Sequence, residues 1–181
     1  MPTMRWRRLD VPGSDACALE EVREGWRLHG SASFGTGRDA ATLAYDVVCD
    51  PEWRTLRAAV QGSVGSRTLA MAVRRSAAGE WHVDDRPAAE LSGLVDLDLG
   101  FTPATNLFPL RRLALRPGQA AEAAAAWLDD ESWQLRRLPQ RYERRSEGEY
   151  WYESPATGYA ALLTVTADGF VRDYPGLWTA A

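Results

Sequence analysis

The strongest constraint on what this chain can fold into is a period of two. In "TLAYDVVC" the side chains of Leu43, Tyr45, Val47 and Cys49 fall on one side of an extended chain; "SRTLAMAV" does the same with Leu69, Met71 and Val73, and "YAALLTV" with Tyr159, Ala161, Leu163 and Val165. Successive side chains of a strand point to opposite faces, so this alternation marks strands with one face buried. Short Gly-containing connections, "FGTGRD", "SAAGEW", "RSEGEY" and "TADGF", separate the runs. Each has the length and composition of a hairpin loop, with glycine free to take positive φ. Consecutive strands are therefore expected to pair antiparallel. In the last hairpin Gly169 is expected at the left-handed position of a type I turn plus bulge, joining residues 159–165 to residues 170–174.

Two segments depart from the alternation. In "TPATNLFPLRRL", Thr102 or Thr105 can cap a helix, Pro103 suits a first turn, and Pro109 is tolerable only in an opening turn where its missing N–H is not needed. A short helix over about residues 105–113 is expected. In "QAAEAAAAWLDDE" alanine propensity favours helix. The run nevertheless leads into "SWQLRRL", where Trp133, Leu135 and Arg137 alternate, and a strand over residues 119–128 closed by the acidic turn continues the meander. No repeat, linker or composition shift divides the chain, so residues 1–181 are expected to form one domain. The fold class that follows is mainly β: a large curled antiparallel sheet of about a dozen strands, closed or half-closed into a barrel, with one or two short helices. Barrels of that size enclose more volume than side chains fill, and a cavity for an apolar or amphipathic ligand is expected.

Composition excludes several partners. The net charge is −4, the pI is near 5.3, and all 21 basic residues are Arg, with no basic tract among them. Nucleic acid is not expected as a partner. The start, "MPTMRWRRLDVPG", lacks the apolar run of a signal peptide, and no segment approaches a membrane span, so a cytoplasmic protein without a transmembrane segment is expected. Cys17 and Cys49 lie far apart and read as buried or half-buried thiols.

Motif chemistry is sparse. His29 and His82 stand in no HxxxH or HExxH arrangement, and no metal is expected. "GSVGS" at residues 62–66 is not a nucleophile elbow and reads as a hairpin turn; the "GTG" glycines lack the helix and acidic residue of a dinucleotide site, and no cofactor is expected. Asp96 and Asp98 form the best catalytic candidate. Two residues apart, they share a strand face opposite Leu97 and Leu99, with Cα atoms roughly 6.5 to 7 Å apart, which permits the carboxylate separation of an inverting glycosidase. The bland alternative is that both face solvent or meet Arg111 and Arg112. Eight tryptophans, at positions 6, 26, 53, 81, 127, 133, 151 and 178, are spread almost one per strand, which fits core and rim packing better than one sugar-stacking platform.

Several stretches together, "RWRRLD", "YDVVCDPEWRT", "LDLGFTPATNLFPLRRL", "PQRYER" and "YESPATGYAALLTVTADGFVRDYPGLW", resemble the bacterial glycolipid-binding family over nearly the whole chain and in order. The resemblance implies a many-stranded, barrel-like sheet with a helix, similar to bacterial lipoprotein-localisation carriers. Asn106, Pro109, Arg111 and Arg112 match its central motif, and Asp173, Tyr174, Pro175 and Gly176 its C-terminal one. It implies a lipid or glycolipid ligand.

Non-enzymatic binding of a lipid or glycolipid in an apolar cavity of a curved sheet is thus the leading expectation. The alternatives are an interaction or structural domain without a small ligand, and a carbohydrate- or lipid-processing enzyme using Asp96 and Asp98. Candidate ligand contacts are Asp98, Asn106, Arg111, Arg112 and Tyr174. Consecutive helical residues point about 100° apart, so only one of the two arginines is expected at a ligand.

Overall fold

The computed structural model describes all 181 residues. Eight strands run consecutively from the N-terminus: β1 (Thr3–Arg8), β2 (Gly13–Val22), β3 (Gly25–Phe34), β4 (Ala41–Cys49), β5 (Thr55–Val64), β6 (Arg67–Arg75), β7 (Trp81–Val83) and β8 (Arg86–Pro87). The chain then leaves the meander for β9 (Asp96–Leu99), a 3-10 turn at Ala104–Asn106 and α1 (Leu107–Leu113). It continues through β10 (Ala120–Glu122), β11 (Ala125–Leu128), β12 (Leu135–Leu138), β13 (Arg141–Ser146), β14 (Glu149–Ser154), β15 (Tyr159–Val165), β16 (Val171–Tyr174) and β17 (Trp178–Ala180).

Fourteen of these strands form one sheet in the order β10-β13-β14-β15-β16-β17-β1-β2-β3-β4-β5-β6-β7-β8. The two ends of the chain meet inside it, Trp6 opposite Ala180 and Arg8 opposite Trp178. The expected hairpins are present, and Gly169 has φ +87 as the turn requires, with its N–H donating to Thr166 O at 2.9 Å. Helix α1 begins two residues later than expected, after the 3-10 turn, and Pro109 lies in its first turn. Neither Thr102 nor Thr105 takes the N-cap position expected of it: the N-caps are Pro103 and Asn106, without side-chain cap bonds, and Thr102 Oγ1 accepts from Ala104 N at 3.0 Å ahead of the 3-10 turn.

Three expectations need correction. The sheet is not closed by hydrogen bonds: its outermost strands are β10, three residues long, and β8, which ends in a proline unable to donate to a further strand. Second, the strand expected over residues 119–128 is split in two: β10 pairs with β13 at the edge of the large sheet, whereas β11 joins β12 and β9 in a separate three-stranded sheet, β12-β11-β9, in which β9 and β11 run parallel. Third, Trp133 belongs to the turn before β12, at φ +57, and its ring is buried.

This small sheet and α1 cover one face of the large sheet. Leu28, Leu43, Val47, Val60 and Val73 of the large sheet share a single core with Leu97, Leu99, Phe101 and Phe108. A second cluster gathers Tyr142, Tyr152, Leu163 and Val171 around Leu110. Helix α1 therefore bridges two cores, with Leu107 and Phe108 in one and Leu110 in the other. Where a cavity for an apolar or amphipathic ligand was expected, the space between the large sheet and its cover is packed with the chain's own side chains. Burying them is the larger source of stability, at about 25 cal/mol per Å2 of apolar area. Cys17 and Cys49 are buried free thiols in the main core.

Candidate functional site

Three concavities of the surface stand out. The broadest, about 1220 Å3, spreads over the uncovered face of β1–β6 on small residues such as Ala16, Ala44, Ala59 and Ala72. Its arginines are mostly ion-paired: Arg27 with Asp46 and Glu20, Arg57 with Glu24, Arg74 with Asp85. A second, about 570 Å3, lies beside the C-terminal end of α1. The third is a cleft of about 410 Å3 at the junction of β1, β9, β11, β14 and β17, and it concentrates the polar chemistry.

Asp98 projects into that cleft from β9. Gln140 Nε2 donates to its Oδ2 at 2.5 Å, and Thr105 Oγ1 donates more weakly to Oδ1 at 3.4 Å. Burial pushes the Asp98 carboxyl up to about 6, with Gln140 and Thr105 opposing. Beside it Asn106, itself buried, donates from Nδ2 to Tyr142 Oη at 2.8 Å. Across the cleft Tyr152 lies edge-on to Tyr174 at 5.7 Å between ring centroids, and Tyr159 lies 5.2 Å from Tyr174. Tyr159 is anchored by donating to Pro175 O at 2.7 Å. Gly100 is required for close approach here, because a Cβ at this position would meet the Trp127 indole nitrogen at 2.6 Å.

The opposite wall is charged. Arg8, between the rings of Phe34 and Trp178 at 4.5 and 5.3 Å, donates from Nε and Nη2 to Asp10 at 2.8 and 3.0 Å. Asp130 lies 3.4 Å from Arg8 Nη2, and burial raises its carboxyl against that pull. Two buried side-chain atoms find no hydrogen-bond partner in the protein, Arg8 Nη1 and Ser154 Oγ, and both belong to residues lining this cleft. Buried polar groups are normally satisfied, so these two atoms set this cleft apart from the other concavities.

Of the residues singled out from the sequence, Asp98, Asn106 and Tyr174 line the cleft together. Asp96 does not join Asp98 there. It is 1% exposed in a bidentate pair with Arg112, at 2.9 Å to Nε and 2.6 Å to Nη2, so of the expected alternatives the arginine contact is the one it makes. Burial pushes the Asp96 carboxyl up and the guanidinium offsets part of that push. Arg112 is thus occupied by a structural partner, whereas Arg111 points the other way, donating from Nη2 to Asp168 O at 2.6 Å. Asp173 is also structural: hydroxyls of Thr164 and Thr179 donate to it at 2.6 and 2.8 Å, tying β15, β16 and β17, and lower its carboxyl. Sequence reasoning missed Arg8, Asp130, Tyr152 and Ser154. The signals were the tyrosine alternation in "EYWYES" and the arginines of "RWRRLD", but only the adjacency of β1 and β17 brings them to one cleft.

An open antiparallel sheet, one face covered by its own helix and small sheet, with an aromatic and carboxylate cleft at the rim, defines the class of this protein. The chain belongs to the bacterial family described as "Putative glycolipid-binding", which it matches over residues 3–180. It is similar to the crystal structure of a DUF1089 family protein from Pseudomonas aeruginosa, with a TM-score of 0.83 and 27% identity over 92% of this chain and 91% of that one. No curated protein matches it. No helix is long and apolar enough to cross a membrane.

Proposed function

We propose that this protein binds a glycolipid without chemical change, holding the sugar head group in the cleft walled by Asp98, Asn106, Tyr152, Tyr174 and Arg8. The observation that carries the reading is the coincidence of unpaired buried polar atoms, Arg8 Nη1 and Ser154 Oγ, with aromatic faces in one cleft. A pyranose presents C–H faces to rings and hydroxyls to carboxylates and guanidinium groups, and both surfaces are available here. A volume of about 410 Å3 suits one or two sugar rings and is too small for acyl chains as well. The chains would lie outside, where Leu9, 42% exposed, is hydrogen-bonded through its N–H to Leu177 O at the cleft edge.

One observation favours an enzymatic second reading. Asp98 and Asp130 both carry raised carboxyls in the same cleft, as general acids do. In that reading the pair is Asp98 with Asp130, because Asp96 is sealed by Arg112.

The test is native mass spectrometry of the purified protein, with extraction and identification of anything bound, followed by incubation with the extracted compound. A bound glycolipid recovered intact supports the binding reading. A compound returned cleaved supports the enzyme. A protein that retains no glycolipid from a lysate and takes up none contradicts both.

A further inference from the structure

We propose that the pocket beside the C-terminal end of α1 is a second binding site, for a tetrahedral oxyanion of the phosphate class, formed by Arg111, Arg144 and Tyr150. The pocket of about 570 Å3 shares no lining residue with the sugar cleft, so the two proposals stand separately.

The charge in this pocket is unbalanced. Arg112, next to Arg111 on the helix, is clamped by Asp96, but Arg111 and Arg144 form no ion pair. Main-chain carbonyls hold them instead. Arg144 donates from Nη1 to Leu115 O at 2.8 Å, from Nη2 to Glu147 O at 3.0 Å and from Nε to Ser146 O at 3.1 Å. Arg111 donates from Nη2 to Asp168 O and lies with its Cζ 5.6 Å from the centre of the Trp53 ring. Carbonyls and rings fix a guanidinium in place without neutralising it. Each has five N–H donors, so two remain on Arg144 and four on Arg111.

A third group converges on the same space. Tyr150 is 6% exposed, packs under the Arg144 guanidinium at 5.6 Å, and its hydroxyl has no partner within the protein. Arg111, Arg144 and Tyr150 line the same pocket; burial pushes the Tyr150 hydroxyl up, and Arg144 and Arg111 pull against it. Four further positions of the wall, Ala114, Gly148, Ala167 and Gly169, are small and leave an anion room to approach the donors. Leu115 O, two residues past the end of α1, is covered by Arg144. Glu147 is the one carboxylate residue of the lining, and its main-chain oxygen is the atom that Arg144 engages. An Arg fork suits carboxylate and phosphate alike; donors from three separate side chains favour the tetrahedral oxyanion, whose oxygens do not lie in one plane.

The same chemistry occurs as free phosphate and as a lipid phosphate head group. The experiment has an arm for each: titration calorimetry with inorganic phosphate against sodium chloride of equal ionic strength, and sedimentation with vesicles of phosphatidylglycerol against phosphatidylcholine. Wild type is compared with Arg111→Gln and Tyr150→Phe, neither of which removes the carbonyl contacts of Arg144. Saturable binding in either arm, weakened about tenfold by Arg111→Gln through loss of a charge-assisted contact and less by Tyr150→Phe, supports the site; the arm that responds identifies the source. Binding in neither arm above its control, or equal binding by wild type and both variants, overturns it.

Discussion

Gln140 Nε2 donates to Asp98 Oδ2 at 2.5 Å across 42 residues of sequence. Gln140 is 1% exposed and sits where the chain passes from β12 of the small sheet to β13 of the large one. The bond therefore fixes the cleft carboxylate to the joint between the two sheets. It also leaves Asp98 in a costly environment, since a single neutral donor and a weak hydroxyl contact do not offset burial of its charge.

That cost sets a pH dependence. Asp98 is raised from 3.8 to about 6 in the folded protein, so the fold binds its proton more tightly than the unfolded chain does. Its stabilising contribution is complete below the unfolded value and is lost as pH rises through about 6. Asp15, buried against Tyr45 and Thr102, is raised to about 6 and acts in the same direction. Replacing Asp98→Asn is expected to stabilise the fold by on the order of 1 to 2 kcal/mol at pH 8, with the gap closing toward pH 4. Thermal melts of both proteins across that range check it, and a gap that widens on acidification contradicts the assignment.

Removing Arg112 leaves Asp96 buried and unpaired. The variant Arg112→Gln is expected to lose about 3 kcal/mol in denaturant unfolding. Adding Asp96→Asn should recover part of that loss, because the uncompensated charge is gone. Two losses that simply add would mean that the pair is not coupled.

Gly169 combines φ +87 with a crowded surround, in which a Cβ would lie 3.0 Å from Arg111 Nε and 3.1 Å from Leu107 Cδ1. Val here is expected to destabilise the fold by about 1 to 2 kcal/mol from backbone strain alone. An unchanged melting temperature would show that the turn adopts another geometry.

Local pattern made much of this fold legible. The period-two runs became β4, β6 and β15, the glycine connections became hairpins, and Pro103 and Pro109 marked the helical opening at α1. Only longer-range contacts decided the rest. In β9 the alternation of Asp96 and Asp98 with Leu97 and Leu99 suggested one wet face, yet α1 supplies Arg112 and the β12–β13 joint supplies Gln140 to cover that face. Nothing local to residues 120–138 distinguishes another turn of the meander from a separate sheet with a parallel pair. The same limit applied to the cleft: Asp98, Asn106 and Tyr174 stood out in contiguous motifs, while Arg8 and Ser154 join them only through the pairing of β1 with β17. The divergence of Arg111 from Arg112, which helical geometry dictates, was readable without any tertiary contact.

The central claim is that the cleft recognises sugar, and its most direct test is titration calorimetry with a short-chain alkyl glycoside below its micelle concentration, beside an alkyl alcohol of equal chain length. Ser154→Ala is the informative variant, because it removes an unpaired buried hydroxyl and should leave the melting temperature unchanged or slightly raised. The account predicts that wild type binds the glycoside and not the alcohol, and that Ser154→Ala and Asp130→Asn each weaken binding about five- to tenfold, the loss of one hydrogen bond to ligand. Equal binding of glycoside and alcohol, or glycoside binding untouched by both variants, would contradict it.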